Sequence, residues 1–197
     1  MFLSERVHLL WCMTQNAIVA DHCCGGAPKA TPKMPPSVTG AFDLVDHFGC
    51  PVTERSYGDK YLLVFFGFSH CAVVCPRELS KLGGALASLG KRATRVQPLY
   101  ITVDPERDHP ETLRQYVARF EGGFIGLTGT AAQIEAAKQS FRVFAERVAD
   151  DTVPGGYVVP HTAFAYLLAP GGAYKAHFPG ALDEQAVAVR LRDLVRE

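Results

Sequence analysis

The chain has 197 residues, 48% hydrophobic and 20% charged, a globular composition with enough apolar material for a sizeable core. Lys plus Arg equals Asp plus Glu at 20 each, so no basic surplus points to nucleic acid and no acidic run points to a cationic partner. Six cysteines, at 12, 23, 24, 50, 71 and 75, are too few and too irregularly spaced for a disulfide scaffold.

Residues 1–37 read as a leader and linker, largely disordered. Val7 to Ala20, "VHLLWCMTQNAIVA", is mildly apolar, carries Thr14, Gln15 and Asn16, and is too short to span a bilayer. Arg6 before it and Ala20 at its end leave a weak export signal or anchor open, beside a frayed terminus. Gly25 to Ser37 is rich in Gly, Pro and Lys, a linker composition. His22, Cys23 and Cys24 lie in this flexible stretch, where a fixed metal site is hard to hold.

Residues 38–197 read as one folded domain. Phe42, Leu44 and Val45 suggest a strand, "DHFG" a turn and "CPVTE" the return strand of a hairpin. "YLLVFF", 61–66, is a continuous apolar run, the pattern of a strand buried on both faces. Pro76 suits the opening of a helix whose apolar face carries Leu79, Leu82, Leu86 and Leu89, with Gly90 as its stop. "LYITV", 99–103, is the next buried strand, completing a right-handed βαβ unit.

Asp108 with Glu111 reads as a capping box before Leu113, Tyr116, Val117 and Phe120; Thr130 with Gln133 repeats it before Ile134, Ala137 and Phe141. Asp104 reads as a turn former before Pro105. "FRVFAERV" fits a strand, "FAYLLAPGGAYKAHF" a hairpin, and Val187, Leu191, Leu194 and Val195 a closing helix. The expected fold is α/β and thioredoxin-like, with an N-terminal β-hairpin and an inserted helix.

The chemistry centres on "SHCAVVCP", 69–76. Cys71 falls in the loop after a buried strand and Cys75 at the lip of the helix, where α/β folds place ligands. A helix N-terminus favours negative charge and so the thiolate, which is both a redox nucleophile and a soft metal ligand. Three intervening residues allow a disulfide, with Cys71 and Cys75 as its catalytic pair. They equally allow two sulfurs to straddle an ion, and two thiolates with an imidazole suit Cu(I). His161, in a loop before a strand, is the best third ligand. His70 adjoins Cys71 but is expected to point away, while His47, His109 and His177 read as turn, helix-start and hairpin-end residues. Pro160 is a candidate cis-proline. A thiol peroxidase would want a polar group in the turn before the cysteine, and only Ser69 is offered there.

Four stretches, "YLLVFFGFSHCAVVCPRELSKL", "YITVDPERDHPETLRQY", "FIGLTG" and "HTAFAYLLAPGG", occur in order and resemble the SCO/SenC family of copper chaperones over Val38 to the C-terminus. The resemblance implies a thioredoxin-like copper-binding domain that loads, or reduces the thiols of, the binuclear copper site of cytochrome c oxidase subunit II. It implies Cys71, Cys75 and His161 as ligands of Cu(I) and of Cu(II). Further expectations are thiol reductants as partners and a periplasmic or outer inner-membrane-face location, with membrane association through the N-terminus. The residue reading keeps a thiol–disulfide oxidoreductase as the alternative. Two positions depart from the family pattern: Val73 stands where an aspartate is usual, and Pro160 where an acidic residue is common. Both changes remove negative charge beside the site.

Overall fold

The structure, a computed structural model, describes residues 37–196. The readings made for Val7 to Ala20, Cys12, His22, Cys23 and Cys24 lie outside them. In chain order the elements are β1 (Asp43–Asp46), β2 (Pro51–Thr53), β3 (Tyr61–Gly67), α1 (Val74–Ala87), a 3-10 segment (Gly90–Arg95), β4 (Val96–Thr102) and α2 (Pro110–Val117). There follow β5 (Ile125–Thr128), α3 (Ala131–Phe141), β6 (Val148–Ala149), β7 (Tyr157–Val158), β8 (Phe164–Leu168), β9 (Tyr174–Pro179) and α4 (Glu184–Leu194).

Seven strands form one sheet in the order β2-β1-β5-β4-β3-β8-β9. β4 runs parallel to both β3 and β5, and the other pairings are antiparallel. This is the thioredoxin arrangement: β3-α1-β4 as the βαβ half and β8-β9-α4 as the ββα half. The N-terminal hairpin is present, as β1 and β2. The insertion holds more than a helix, because β5 extends the sheet between α2 and α3.

β3 explains the two-sided core. Every one of its residues is buried. Because strand side chains alternate, Tyr61, Leu63 and Phe65 meet Leu79, Leu82, Val187 and Leu191 on one face. Leu62, Val64 and Phe66 meet Ile134, Ala137 and Phe141 on the other. A strand covered by helices on both faces must be apolar throughout, as "YLLVFF" is.

Several elements differ from the sequence reading. α1 begins at Val74, two residues before Pro76, and ends at Ala87; Gly90, at φ +58°, opens the 3-10 segment instead of stopping the helix. α2 is capped by neither Asp108 nor a capping box: its cap residue is His109, and Pro110 fills the first turn. Thr130 and Gln133 do form the expected box on α3. "FRVFAERV" is not one strand. Phe141 ends α3, Arg142 adopts the left-handed conformation (φ 59°) that terminates helices, and Val148–Ala149 alone pairs with Tyr157–Val158. The alternation that suggested a strand is real, since Val143 is buried between exposed Arg142 and Phe144. Its partner, however, is one bridge between Ala145 and His161.

Phe66 is fully buried, with its ring 5.2 Å from that of Phe141 and 6.3 Å from that of Tyr166. Phe66→Ala is therefore expected to lower unfolding free energy by about 3–5 kcal/mol. Urea unfolding with an unchanged m-value would read this as a lower midpoint. A loss under about 1 kcal/mol would show that this face of the sheet is loosely packed.

Candidate metal and thiol centre

β3 delivers the chain to the site and Gly67 ends it. A turn follows, with the Cys71 backbone N–H donating to Phe68 O at 3.1 Å. α1 then starts without a side-chain cap and without an acidic residue in its first turn. Its free N–H groups turn to sulfur instead: the Cys75 backbone N–H donates to Cys71 Sγ at 3.4 Å. Cys71 is half-buried and Cys75 fully buried.

The two thiols are electrostatically unlike. The Cys71 thiol is pulled down to about 5, first by the hydrogen bond from the Cys75 side chain and then by the backbone N–H groups of Cys75, Val73 and Val74, against the opposing effect of burial. Cys75 is pushed far up by the same shared proton and by its burial. Both effects favour the thiolate at Cys71 and the proton at Cys75.

His161 stands between β7 and β8. Its Nδ1 lies 2.8 Å from Val159 O. A carbonyl only accepts, so Nδ1 carries a proton, and in the neutral ring the lone pair is at Nε2. That Nε2 is 4.0 Å from Cys75 Sγ, and the Phe68 ring stands edge-on to the imidazole at 5.8 Å. The fold thus brings Cys71, Cys75 and His161 together across 90 residues of sequence between the first and the last. They are adjacent and not yet converged: among the described residues no group of three His, Cys, Asp or Glu side chains already stands at metal-binding spacing. Ligands bonded to one ion at roughly 2.0–2.3 Å can lie up to about 4 Å apart, so the Cys75–His161 distance suits a shared ion once the thiol proton leaves.

Gly67 is required by the packing behind the sulfur. A Cβ there would fall 2.7 Å from Cys75 Sγ and 2.5 Å from the Tyr100 hydroxyl. In front lies a cleft of about 450 Å³ walled by Phe68, Cys71, Val73, Val158, Pro160 and His161. Asp, Glu, Lys and Arg are absent from its lining, and Val73 is 67% exposed at its rim. The peptide bond before Pro160 is trans.

The other described histidines make no side-chain hydrogen bond with the two cysteines. His70 is exposed on the rim of the cleft, with Nδ1 3.1 Å from Ser69 Oγ. His109 caps α2, and His177 takes the Tyr174 hydroxyl at 2.7 Å. His47 is no surface turn residue: it is buried, and its Nδ1 accepts the Gly126 N–H at 3.0 Å, tying the hairpin turn to β5. Cys50 is exposed and remote from the pair, its backbone N–H bonded to Asp46.

Sequence reasoning underrated "DPERD". Asp104 turns the chain, accepting the Arg107 and Asp108 N–H groups on its carbonyl, but its side chain is buried in an ion pair with Arg107. Asp108 is fully buried beneath the cysteine loop, where Ser69 donates to it through both backbone N–H and hydroxyl. The available signal was two aspartates flanking a cation at the end of a buried strand, where solvated charges do not belong.

The SCO1/SenC family profile matches residues 30–196. The chain belongs to the SCO1/SenC family. It is 37% identical over 156 residues to the mitochondrial SCO2 homologue of Danio rerio, covering 78% of this chain and 56% of that one. With mitochondrial SCO1 of Saccharomyces cerevisiae it shares 39% identity over 140 residues, covering 71% and 48%. This SCO1/SenC chain therefore spans about half the length of the curated relatives it matches. Among solved structures, copper-bound Arabidopsis thaliana ScoI superposes with a TM-score of 0.76 at 30% identity, covering 81% of this chain and 99% of that one. Copper-bound yeast Sco1 superposes with a TM-score of 0.72 at 36% identity, covering 80% and 88%.

The unequal thiols have a direct chemical consequence. In metal-free, reduced protein, iodoacetamide should label Cys71 long before Cys75. Thiolate forms as pH rises, so the Cys71 rate should climb through about pH 5 and be flat by neutrality. Peptide mapping at each pH reads this site by site. An inflection in the ordinary thiol range, roughly 8–9, would show that the helix start does not hold a thiolate at Cys71.

Proposed function

We propose that this chain is a copper chaperone: Cys71, Cys75 and His161 hold Cu(I) as cargo and pass it to the binuclear copper site of cytochrome c oxidase subunit II or to another copper acceptor. The observation that carries the reading is the juxtaposition of a helix-mouth dithiol with an imidazole whose Nε2 is 4.0 Å from Cys75 Sγ. Two thiolates and a neutral imidazole are soft, low-coordinate donors of the kind Cu(I) accepts. Copper-bound relatives at 30% identity or more, those from Arabidopsis, Bradyrhizobium japonicum and yeast, support the same cargo. Cys71 is already a thiolate, so loading displaces one proton, from Cys75.

A second reading rests on the asymmetry of the pair. Cys71 is the accessible thiolate and can attack a disulfide of the acceptor, forming a mixed disulfide and releasing one acceptor thiolate. Cys75, buried beside it, then loses its proton and attacks Cys71 Sγ, freeing the second acceptor thiolate. Two electrons pass to the acceptor, and thiol reductants regenerate the pair. Both readings place the protein on the outer side of a membrane, periplasmic or at the inner membrane's outer face, with any association made through the N-terminus. Among the described residues no helix is long and apolar enough to cross a bilayer.

The deciding experiment titrates Cu(I) into anaerobically reduced protein and collects X-ray absorption spectra. One copper per chain with sulfur and nitrogen neighbours is expected. Cys71→Ser and Cys75→Ser should abolish tight binding. His161→Ala should weaken Cu(I) less, because two thiolates still hold a linear ion, and should nearly remove Cu(II). Replacing Cys12, Cys23, Cys24 and Cys50 by Ser should leave binding intact. Protein oxidised to the Cys71–Cys75 disulfide should bind little copper; full binding by that form would leave the oxidoreductase reading standing.

The uncharged rim should also tune the oxidation state. Val73→Asp places an anion at the mouth of the cleft, which favours the more highly charged ion. Cu(II) affinity should rise by on the order of 1 kcal/mol, as expected for an exposed charge in high dielectric. Competition titration reads the change. Unchanged or weaker Cu(II) binding would show that side chain 73 does not sense the metal.

A further inference from the structure

The segment Thr102 to Asp108 reaches in two directions. Toward the cysteine loop, Asp108 accepts the Ser69 backbone N–H at 3.0 Å, the Ser69 hydroxyl, and the Thr102 hydroxyl at 2.7 Å. Ser69 is two residues from Cys71. Toward the histidine, Asp104 accepts Arg107 Nε and the Tyr157 hydroxyl, the latter at 3.0 and 3.2 Å to its two oxygens. Arg107 also donates to Tyr157 O at 3.3 Å, and its guanidinium stands 3.7 Å from the Tyr157 ring centre and 5.7 Å from that of Phe68. Arg147 covers Tyr157 as well, at 4.1 Å, and pairs with Glu106 at 2.7 Å.

Tyr157 begins the strand that leads to His161. That strand and its partner form a small ribbon with internal bonds: Glu146 N–H to Pro160 O at 3.1 Å and Thr162 N–H to Phe144 O at 2.9 Å. Those bonds join the ribbon to itself. After His161, β8 pairs with β3 and so ties that end of the ribbon to the strand that leads into the cysteine loop. On the other end the Asp104–Arg107–Tyr157 cluster adds a second tie, because the Arg107 guanidinium lies over Tyr157 on the ribbon and within cation–π reach of Phe68 on the cysteine side.

We propose that Asp104, Arg107 and Asp108 are positioning residues: a bracket that holds His161 beside Cys75 and within the cleft that Cys71 also lines. The bracket rests on the reading of His161 as third ligand under the proposed function. Both its aspartates and most of Arg107 are buried, so the ions are held by each other and by hydrogen bonds. Arginine is needed for the central place. Its planar fork meets a carboxylate and a carbonyl while stacking on two rings, which a lysine ammonium cannot do.

Removing Arg107 alone leaves buried Asp104 with Arg147, 3.8 Å away, as its remaining cation. The test therefore uses Asp104→Asn with Arg107→Met, which removes both charges together, and Tyr157→Phe, which keeps every charge and the ring. Urea unfolding confirms that each variant is folded. In metal-free protein the NMR cross-peak between the Phe68 and His161 rings should be present in the parent, reduced in Tyr157→Phe, and lost in the double variant. A cross-peak retained at full intensity in the double variant overturns the bracket.

The second arm is a mutant cycle on Cu(I) affinity, which His161→Ala weakens but leaves measurable. The double variant should lose about tenfold or more when His161 is present and nothing further in a His161→Ala background, because the bracket acts only through that ring. Equal losses in both backgrounds overturn it. If the parent's copper spectrum does not change on His161→Ala, the ligand reading fails, while the metal-free ring contact still decides the bracket.

Discussion

An α-helix begins with backbone N–H groups that have no partner inside the helix. In this protein those at the start of α1 meet a sulfur. Val73 supplies no capping side chain and the first turn carries no acid, so the Cys71 sulfur is the anion the helix start is left to attract. Much of the site depends on that contact. Together with the larger effect of the hydrogen bond from the Cys75 side chain, it favours the thiolate at Cys71 and leaves the proton on Cys75. It also joins the cysteine loop to the start of α1, where Cys75 Sγ lies 4.0 Å from His161 Nε2.

Burial completes the asymmetry. Cys75 sits against Gly67 and the Tyr100 hydroxyl, with no room for even a methyl group between them. A buried sulfur resists ionisation unless a positive charge or a donor compensates it. Cu(I) supplies the charge, and an attack on Cys71 Sγ replaces ionisation with a covalent bond. The same packing that keeps Cys75 a thiol in the free protein therefore makes its deprotonation depend on metal capture or disulfide formation. The two outcomes compete for the same sulfurs, so each protects the protein from the other.

The sequence made the fold legible where periodicity and burial agree. "YLLVFF" read as a doubly covered strand because its burial is continuous, and the Thr130–Gln133 box marked α3 because that cap is local. The two cysteines were legible from their place after a buried strand. His161 was suggested by its loop position and by the family resemblance. The bracket was not legible, because its meaning is tertiary: Asp108 looks like a helix cap until Ser69, 39 residues earlier, is seen to donate to it. Nor was the broken strand after Phe141. A left-handed arginine is rare, and no local pattern announces it. β5 was missed as an element since its four residues carry glycine and threonine amid a short apolar signal.

The neutral cleft brings these threads together. Val73 and Pro160 leave the rim without a carboxylate, and among the described residues no Asp, Glu, Lys or Arg lines the cleft. Charge at the opening acts weakly and is screened by salt, whereas charge at the sulfurs is shielded from both. The protein has accordingly placed its ionic interactions behind the site, in Asp104, Arg107 and Asp108, where they hold geometry. The mouth is left apolar, so an acceptor is met by surface and by sulfur. On the proposed function, affinity for the ion comes from how closely Cys71, Cys75 and His161 are held, and the bracket is the element proposed to set that spacing.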